Sequence, residues 1–162
     1  MQKGIHQAVI ETSKGSITVE LDATIAPKTV TNFMALAASG YYNKTTFHRV
    51  IPGFMIQGGD PNGNGTGGRS IFGETFEDEI KASSATYKTG YKTGVIAMAN
   101  RGPNTNGSQF FIMDGDTPLP PSYTIFGKVT AGQDVVNTIA NVGRGANDMP
   151  KEAVTFSVKV IK

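Results

Sequence analysis

Apolar and polar side chains alternate at both ends of the chain. Ala8 to Thr12 leads into a turn at Ser13-Lys14-Gly15, after which Ile17, Val19 and Leu21 alternate with Ser16, Thr18 and Glu20. A period of two places one set on a buried face, so this segment reads as a hairpin. Near the other end Val154, Phe156, Val158 and Val160 alternate with Thr155, Ser157 and Lys159, which predicts a half-buried closing strand. Two stretches carry a helical period instead. Pro27 suits a first helical position, Val30, Phe33, Met34 and Ala37 follow at i, i+3, i+4 and i+7, and Gly40 supplies the stop. The second helix is expected to start at Thr130, which has capping-box spacing to Gln133, to turn Val135, Val136, Ile139 and Ala140 inward, and to end by Gly143.

Between these helices lie short apolar runs at Thr46 to Val50, Phe54 to Gln57, Val95 to Ala99, Gln109 to Met113 and Thr124 to Val129. Loops rich in Gly, Pro, Asn and Asp separate them. Strands and helices do not alternate as a parallel α/β sheet requires, so the pattern predicts a mainly β protein: a closed antiparallel β-barrel with helical lids. No repeat or linker interrupts it, and residues 1–162 read as one domain.

Composition sharpens this picture. Twenty glycines in 162 residues, against a usual share of roughly 7%, fit a turn-rich strand architecture. The absence of cysteine excludes disulfides, thiolate catalysis and cysteine-ligated metals. Only two histidines are present, so neither a metal nor a cofactor is expected. No apolar run approaches the ~18 residues of a membrane helix, and Met1 to Lys14 lacks the apolar stretch of a secretory signal. The expectation is a cytoplasmic monomer with no membrane partner. Fifteen basic residues against 13 acidic ones are scattered along the chain, so no nucleic-acid partner is expected either.

Several candidate motifs have simpler readings. Gly63-Asn64-Gly65-Thr66-Gly67-Gly68-Arg69-Ser70 resembles phosphate loops, but those need a helix N-terminus directly after the glycines. Ile71-Phe72-Gly73-Glu74 follows without helical period, so a flexible loop with positive φ angles is expected. His48 with Ser108 or Thr46 could suggest hydrolysis, yet no G-x-S-x-G elbow exists and no carboxylate links to His48. His6 reads as a surface residue. Glu77-Asp78-Glu79 and Asp114-Gly115-Asp116 lack EF-hand spacing and read as solvated acidic turns.

Two stretches remain unexplained by these readings. The first, from Phe47 to Asp60, packs His48, Arg49, Phe54, Met55 and Gln57 into a short span. Strict alternation would put Phe47 and Arg49 on one face and His48 and Val50 on the other. The second, from Met98 to Ile112, joins an amide- and glycine-rich loop to a strand bearing Gln109 and Phe111.

These stretches, F-H-R-V-I-P-G-F-M-I-Q-G-G-D and M-A-N-R-G-P-N-T-N-G-S-Q-F-F-I, strongly resemble the two signature motifs of the cyclophilins, a family of prolyl isomerases. The resemblance runs from about Ala8 to Ile161. It takes in Gly65-Thr66-Gly67-Gly68, Phe76-Glu77-Asp78-Glu79 and Phe126-Gly127-Lys128-Val129. It implies an eight-stranded antiparallel barrel capped by two α-helices, and Arg49 as the catalytic group with Phe54 and Gln57 beside it. The implied proline pocket is Phe54, Met55, Phe111 and either Leu119 or Pro120. His48, Gly65, Thr66, Ala99, Asn100, Gln109 and Tyr123 would border the peptide groove.

The resemblance further implies a second pocket gated by Arg101, with Glu74, Thr75 and Ser108 at its edges. The substrates would be proline-containing peptides and unfolded proteins. Tyr123 falls where many members carry histidine, and Leu119 falls where many carry tryptophan, whose indole N–H it lacks, so the resemblance implies cyclosporin binding at reduced affinity. Two other functional classes stay open: a proline-peptide binding module using the same groove, and a nucleotide- or nucleic-acid-binding protein suggested by the glycine loop and the basic balance of charge.

Overall fold

The computed structural model describes residues 1–161. Eight strands form the frame: β1 (Ile5–Thr12), β2 (Gly15–Asp22), β3 (Thr45–Ile51), β4 (Met55–Asp60), β5 (Val95–Met98), β6 (Phe110–Met113), β7 (Ile125–Ala131) and β8 (Thr155–Ile161). They close into a barrel in the order β1-β2-β7-β5-β6-β4-β3-β8, and every strand pairing is antiparallel. Closure leaves no long strand edge open to another chain. Three helices accompany the barrel: α1 (Pro27–Ala38), α2 (Ala85–Thr89) and α3 (Gln133–Ala140).

The alternation read from the sequence sets which side chains enter the barrel. Ile17, Val19 and Leu21 of β2 are fully buried, and Val154, Phe156 and Val158 near the C-terminus are buried as well. Phe33 of α1 packs against Tyr42, Phe110 and Phe126 with ring centroids 5.4 Å apart in each case. Aromatic pairs of this kind bring large buried areas and a further preference for tilted geometry.

The structure corrects four local expectations. Thr130 belongs to β7, and its hydroxyl donates to the Thr18 carbonyl at 3.4 Å, so no capping box forms; α3 begins instead after Gly132, whose φ is 93°. The short helix α2 carries no apolar period, having no buried residue, which is why the pattern did not reveal it. The glycine loop does have positive φ at Gly63, Gly65 and Gly68, but it is pinned. The Asp60 carboxylate accepts the backbone N–H groups of Asn62, Asn64 and Gly65 at 2.8, 3.2 and 2.6 Å.

The acidic turns are solvated only in part: Glu77 and Asp116 are exposed, yet these turns also carry structural hydrogen bonds. The Glu79 carboxylate accepts the Lys28 and Thr29 N–H groups at 3.1 and 2.7 Å. It thereby satisfies the start of α1, whose own N-cap residue, Ala26, offers no side-chain acceptor. Asp78 binds Asn104 and Asn106, and Asp116 accepts both the N–H and the hydroxyl of Thr93.

Candidate active site

Strands β4, β5 and β6 bury both faces, and the faces serve different ends. Phe110, Ile112, Ile56, Ile96 and Met98 point into the barrel. Phe111, Met113, Met55 and Ala97 point outward and join Tyr91 and Ile125 in a second apolar cluster. This outer cluster is the floor of a cleft of about 600 Å³. Phe54, Leu119 and Tyr123 pack at its edge. The rings of Phe111 and Tyr123 meet edge to face at 5.5 Å.

Below them the Tyr91 hydroxyl donates to the Tyr123 carbonyl at 2.6 Å and accepts the Tyr123 N–H at 3.2 Å. Burial pushes that hydroxyl up to about 12, so it remains a neutral donor near pH 7.

The polar wall depends on a β-bulge. Pairing along β3 and β4 runs from Phe47↔Gly58 to Arg49↔Gln57, which leaves His48 as an extra residue on β3. A bulge shifts the phase of alternation and re-aims side chains. Phe47 and Val50 are therefore both fully buried in the barrel, while His48 and Arg49 both line the cleft. The sequence expectation that Phe47 and Arg49 share a face is overturned for this reason.

Arg49 stands directly across from Gln57, and its guanidinium makes no hydrogen bond or salt bridge among the described residues. Gln57 Nε2 donates to Gln109 Oε1 at 3.0 Å. Gln109 Nε2 in turn donates to the carbonyls of Gly65 and Gly67 at 3.1 and 2.8 Å. This chain fixes both amides and holds the glycine loop beside them.

On the opposite rim the Asn100 side chain is occupied structurally. Its Nδ2 donates to the Ser122 carbonyl at 2.8 Å, and its Oδ1 accepts the Gly102 N–H at 3.1 Å. The Asn100 backbone N–H and carbonyl have no hydrogen-bond partner among the described residues, which leaves them available to an extended peptide.

A scan of sequence families matches the cyclophilin type peptidyl-prolyl cis-trans isomerase/CLD family over residues 7–160. The chain belongs to the cyclophilin-type peptidyl-prolyl cis-trans isomerases. It is 50% identical over 155 residues to the peptidyl-prolyl cis-trans isomerase-like 1 of Gibberella zeae, covering 95% of this chain and 91% of that one. It is 48% identical over 154 residues to the peptidyl-prolyl cis-trans isomerase ppi1 of Schizosaccharomyces pombe, covering 94% of each. A crystal structure of a Cryptosporidium parvum cyclophilin type isomerase superposes with a TM-score of 0.91 at 40% identity, covering 98% of both chains. The same enzyme was also crystallised in the presence of the dipeptide Ala-Pro, with a TM-score of 0.89.

In this cyclophilin most of the site residues expected from the sequence come together. His48, Arg49, Phe54, Met55, Gln57, Gly65, Ala99, Asn100, Phe111, Leu119 and Tyr123 line the main cleft. Leu119, not the exposed Pro120, is the residue at its wall. Arg101 and Gln109 line a second hollow of about 220 Å³, which shares Gln57, Gly65, Ala99 and Asn100 with the first and has Glu74, Thr75 and Ser108 at its edges. Thr66 is the exception. It lines neither hollow, because its hydroxyl turns back to Asn64 Oδ1 at 2.5 Å.

His48 is nearly buried, with 6% exposure, and its Nδ1 has no hydrogen-bond partner. Burial pushes its imidazole below the ordinary histidine range; the Asp60 carboxylate opposes this shift and the Arg49 guanidinium adds to it. The cleft is thus lined at neutral pH by an uncharged imidazole beside a charged Arg49. Burial alone would raise the Asp60 carboxyl, but the surrounding backbone N–H groups outweigh it and hold the group ionised below the usual range.

The sequence reading missed four lining residues: Asn64, Asn147, Asp148 and Met149. The last three come from the turn after α3, where Asn147 and Asp148 both have positive φ, 59° and 58°. Their residue types, which tolerate left-handed backbone, were the one local cue. Nothing local points them at Arg49; Arg144 brings them there, donating to the Val50 carbonyl at 3.3 Å and lying 3.6 Å from Asp148.

Proposed function

We propose that this cyclophilin isomerises X-Pro bonds in flexible or unfolded polypeptides and so assists their folding, with Arg49 as its catalytic group. The observation that carries the reading is an unpaired guanidinium at the wall of an apolar cleft. Rotation about a peptide bond costs about 18–20 kcal/mol because it breaks amide resonance, and an X-Pro bond isomerises unaided in tens to hundreds of seconds. No bond forms or breaks, so the reaction needs no nucleophile.

In the twisted transition state the prolyl nitrogen regains its lone pair. A donor aimed at that nitrogen stabilises the twisted state more than the planar one. Arg49 has such a donor free. The proline ring would rest on Met55, Phe111 and Leu119 with Phe54 and Tyr123 beside it, in an apolar setting that favours the less polar twisted amide. Gln57 and the unpaired Asn100 backbone would hold the chain on one side of the bond while the other side turns. His48, Gly65, Ala99 and Gln109 border the same groove, and Arg101 would gate the second hollow.

The preferred substrates are proline-containing peptides, taken by a monomer acting as one domain. Leu119 offers no N–H where an indole could donate, so cyclosporin should bind roughly two- to tenfold more weakly than to a tryptophan-bearing relative.

An NMR exchange experiment on an Ala-Pro peptide tests the reading. The protein should speed cis–trans interconversion, and peptide-induced shifts should map to Arg49, Gln57, Asn100 and Phe111. Binding without faster exchange would make this a peptide-binding module, and shifts elsewhere would refute the site.

A further inference from the structure

The geometry points to Asp114 as a positioning residue that holds the Phe54 wall of the cleft in place. This inference rests on the reading of Phe54 as part of the proline pocket. Phe54 follows a tight turn built by Pro52 and Gly53: the Phe54 N–H donates to the Ile51 carbonyl at 3.1 Å, and Gly53 has φ 75°. Proline at the second position and a positive-φ glycine at the third are what a type II turn requires. The β3–β4 ladder holds the turn only at its base, where Ile51 pairs with Met55.

Asp114, just beyond the end of β6, supplies a further anchor from both its backbone and its side chain. Its N–H donates to the Phe54 carbonyl at 2.8 Å, and its Oδ2 accepts the Gly53 N–H at 2.8 Å. The grip thus takes hold of the backbone on both sides of the Gly53–Phe54 link. Gly115 lets the strands come this close, because a Cβ there would lie 2.2 Å from the Gly53 carbonyl oxygen.

Helix α3 braces the same carboxylate. Asn137 Nδ2 donates to both Asp114 oxygens, at 3.2 and 3.4 Å, and Gln133 Nε2 donates to the Met113 carbonyl at 3.1 Å. A line of direct hydrogen bonds therefore runs from α3 through Asp114 to the residue that walls the pocket. The sequence offered Asp114 only as part of an acidic turn, and the fold makes it a clasp.

Displacing a pocket wall by a fraction of an ångström lowers turnover more than binding when the wall favours the twisted state. Asp114→Ala should therefore lose roughly tenfold in kcat with KM changed less than about twofold. Asp114→Asn retains an oxygen acceptor for Gly53 and should recover most of the loss, while Asn137→Ala, which removes only the brace, should lose about two- to threefold.

The deciding comparison is a double-mutant cycle with Phe54→Ala, read as kcat and KM by NMR exchange on an Ala-Pro peptide. If Asp114 acts through Phe54, Asp114→Ala adds no further loss in the Phe54→Ala background. Additive losses, or a folded Asp114→Ala with unchanged kcat, would overturn the inference. Should Asp114→Ala fail to fold, Asn137→Ala takes its place in the cycle with the same criterion. Full activity in Phe54→Ala alone would instead refute the pocket assignment on which the inference rests.

Discussion

Strands β4, β5 and β6 contribute to both the barrel interior and the outer cluster, yet the two differ in what surrounds them. Inside, Phe33, Tyr42, Phe47 and Phe110 are fully buried and meet one another ring to ring. Outside, Met55 and Phe111 are nearly as buried, at 2% and 5% exposure, but the neighbours above them are the half-buried Phe54, Leu119 and Tyr123, and the cleft lies beyond. One residue of offset along β6 separates a side chain buried in the barrel from one that lines the cleft. The closed cluster can be close-packed on every side; the open one must leave a contact surface unfilled, and that surface is what a proline ring can use.

The neighbouring pair Phe110 and Phe111 should separate the two clusters most strongly. Phe110→Ala should cost about 3–5 kcal/mol of stability, the usual range for a fully packed phenylalanine. Phe111→Ala should cost clearly less, because its cavity opens to the cleft, while turnover falls by on the order of tenfold. Urea unfolding and peptide turnover measured on both variants check this, and equal stability losses would erase the distinction between the clusters.

At the polar wall, the burial of His48 makes stability depend on pH. Its folded-state affinity for protons is depressed by burial, so below about pH 6.5 the unfolded chain binds the proton that the folded chain refuses. The stability His48 contributes is therefore present above that pH and is lost as pH falls below it. His48→Gln should show a smaller loss of unfolding midpoint between pH 7.5 and 5.5 than the parent, and an unchanged difference would remove the burial argument.

Asn147 tests whether the turn beside Arg49 is under backbone strain. At φ 59°, Asn147→Ala should destabilise by about 1 kcal/mol, the lower end of the left-handed cost for ordinary residues. Asn147→Gly should be near neutral, and equal thermal shifts for both would contradict this.

Arg101 carries the smallest expected effect. Its Nη2 already donates to the Gly65 carbonyl at 3.2 Å, and it is exposed, so a pair with an acidic peptide side chain adds only ~0.2–1 kcal/mol and is screened by salt. Catalytic efficiency on matched Glu and Lys peptides should differ at most about fivefold at low salt, and Arg101→Ala should abolish the difference.

The barrel was legible because its evidence is local: alternation in β2 and β8, the helical stripe of α1, and short runs cut by glycine. What the chain concealed is set by pairing between distant segments. The bulge at His48 depends on how β3 registers against β4, and no pattern within Phe47 to Val50 signals it. Glu79 capping α1 and Asp114 gripping Gly53 are likewise hydrogen bonds across long separations, so their residues looked like ordinary acidic turns. Thr66 illustrates the converse: it sits amid the right motif, but a local bond to Asn64 turns it from the groove.

The unpaired Arg49 guanidinium is proposed to stabilise the twisted amide rather than merely to hold the peptide. The most direct measurement is the NMR exchange rate of a saturating Ala-Pro peptide with parent and Arg49→Ala proteins, together with the peptide Kd of each. Arg49→Ala should lose about 10²–10³ in catalysed exchange, as for removal of one preorganised donor, with Kd changed only a few-fold. Near-full exchange in a folded Arg49→Ala, or a loss entirely accounted for by weaker binding, would contradict it.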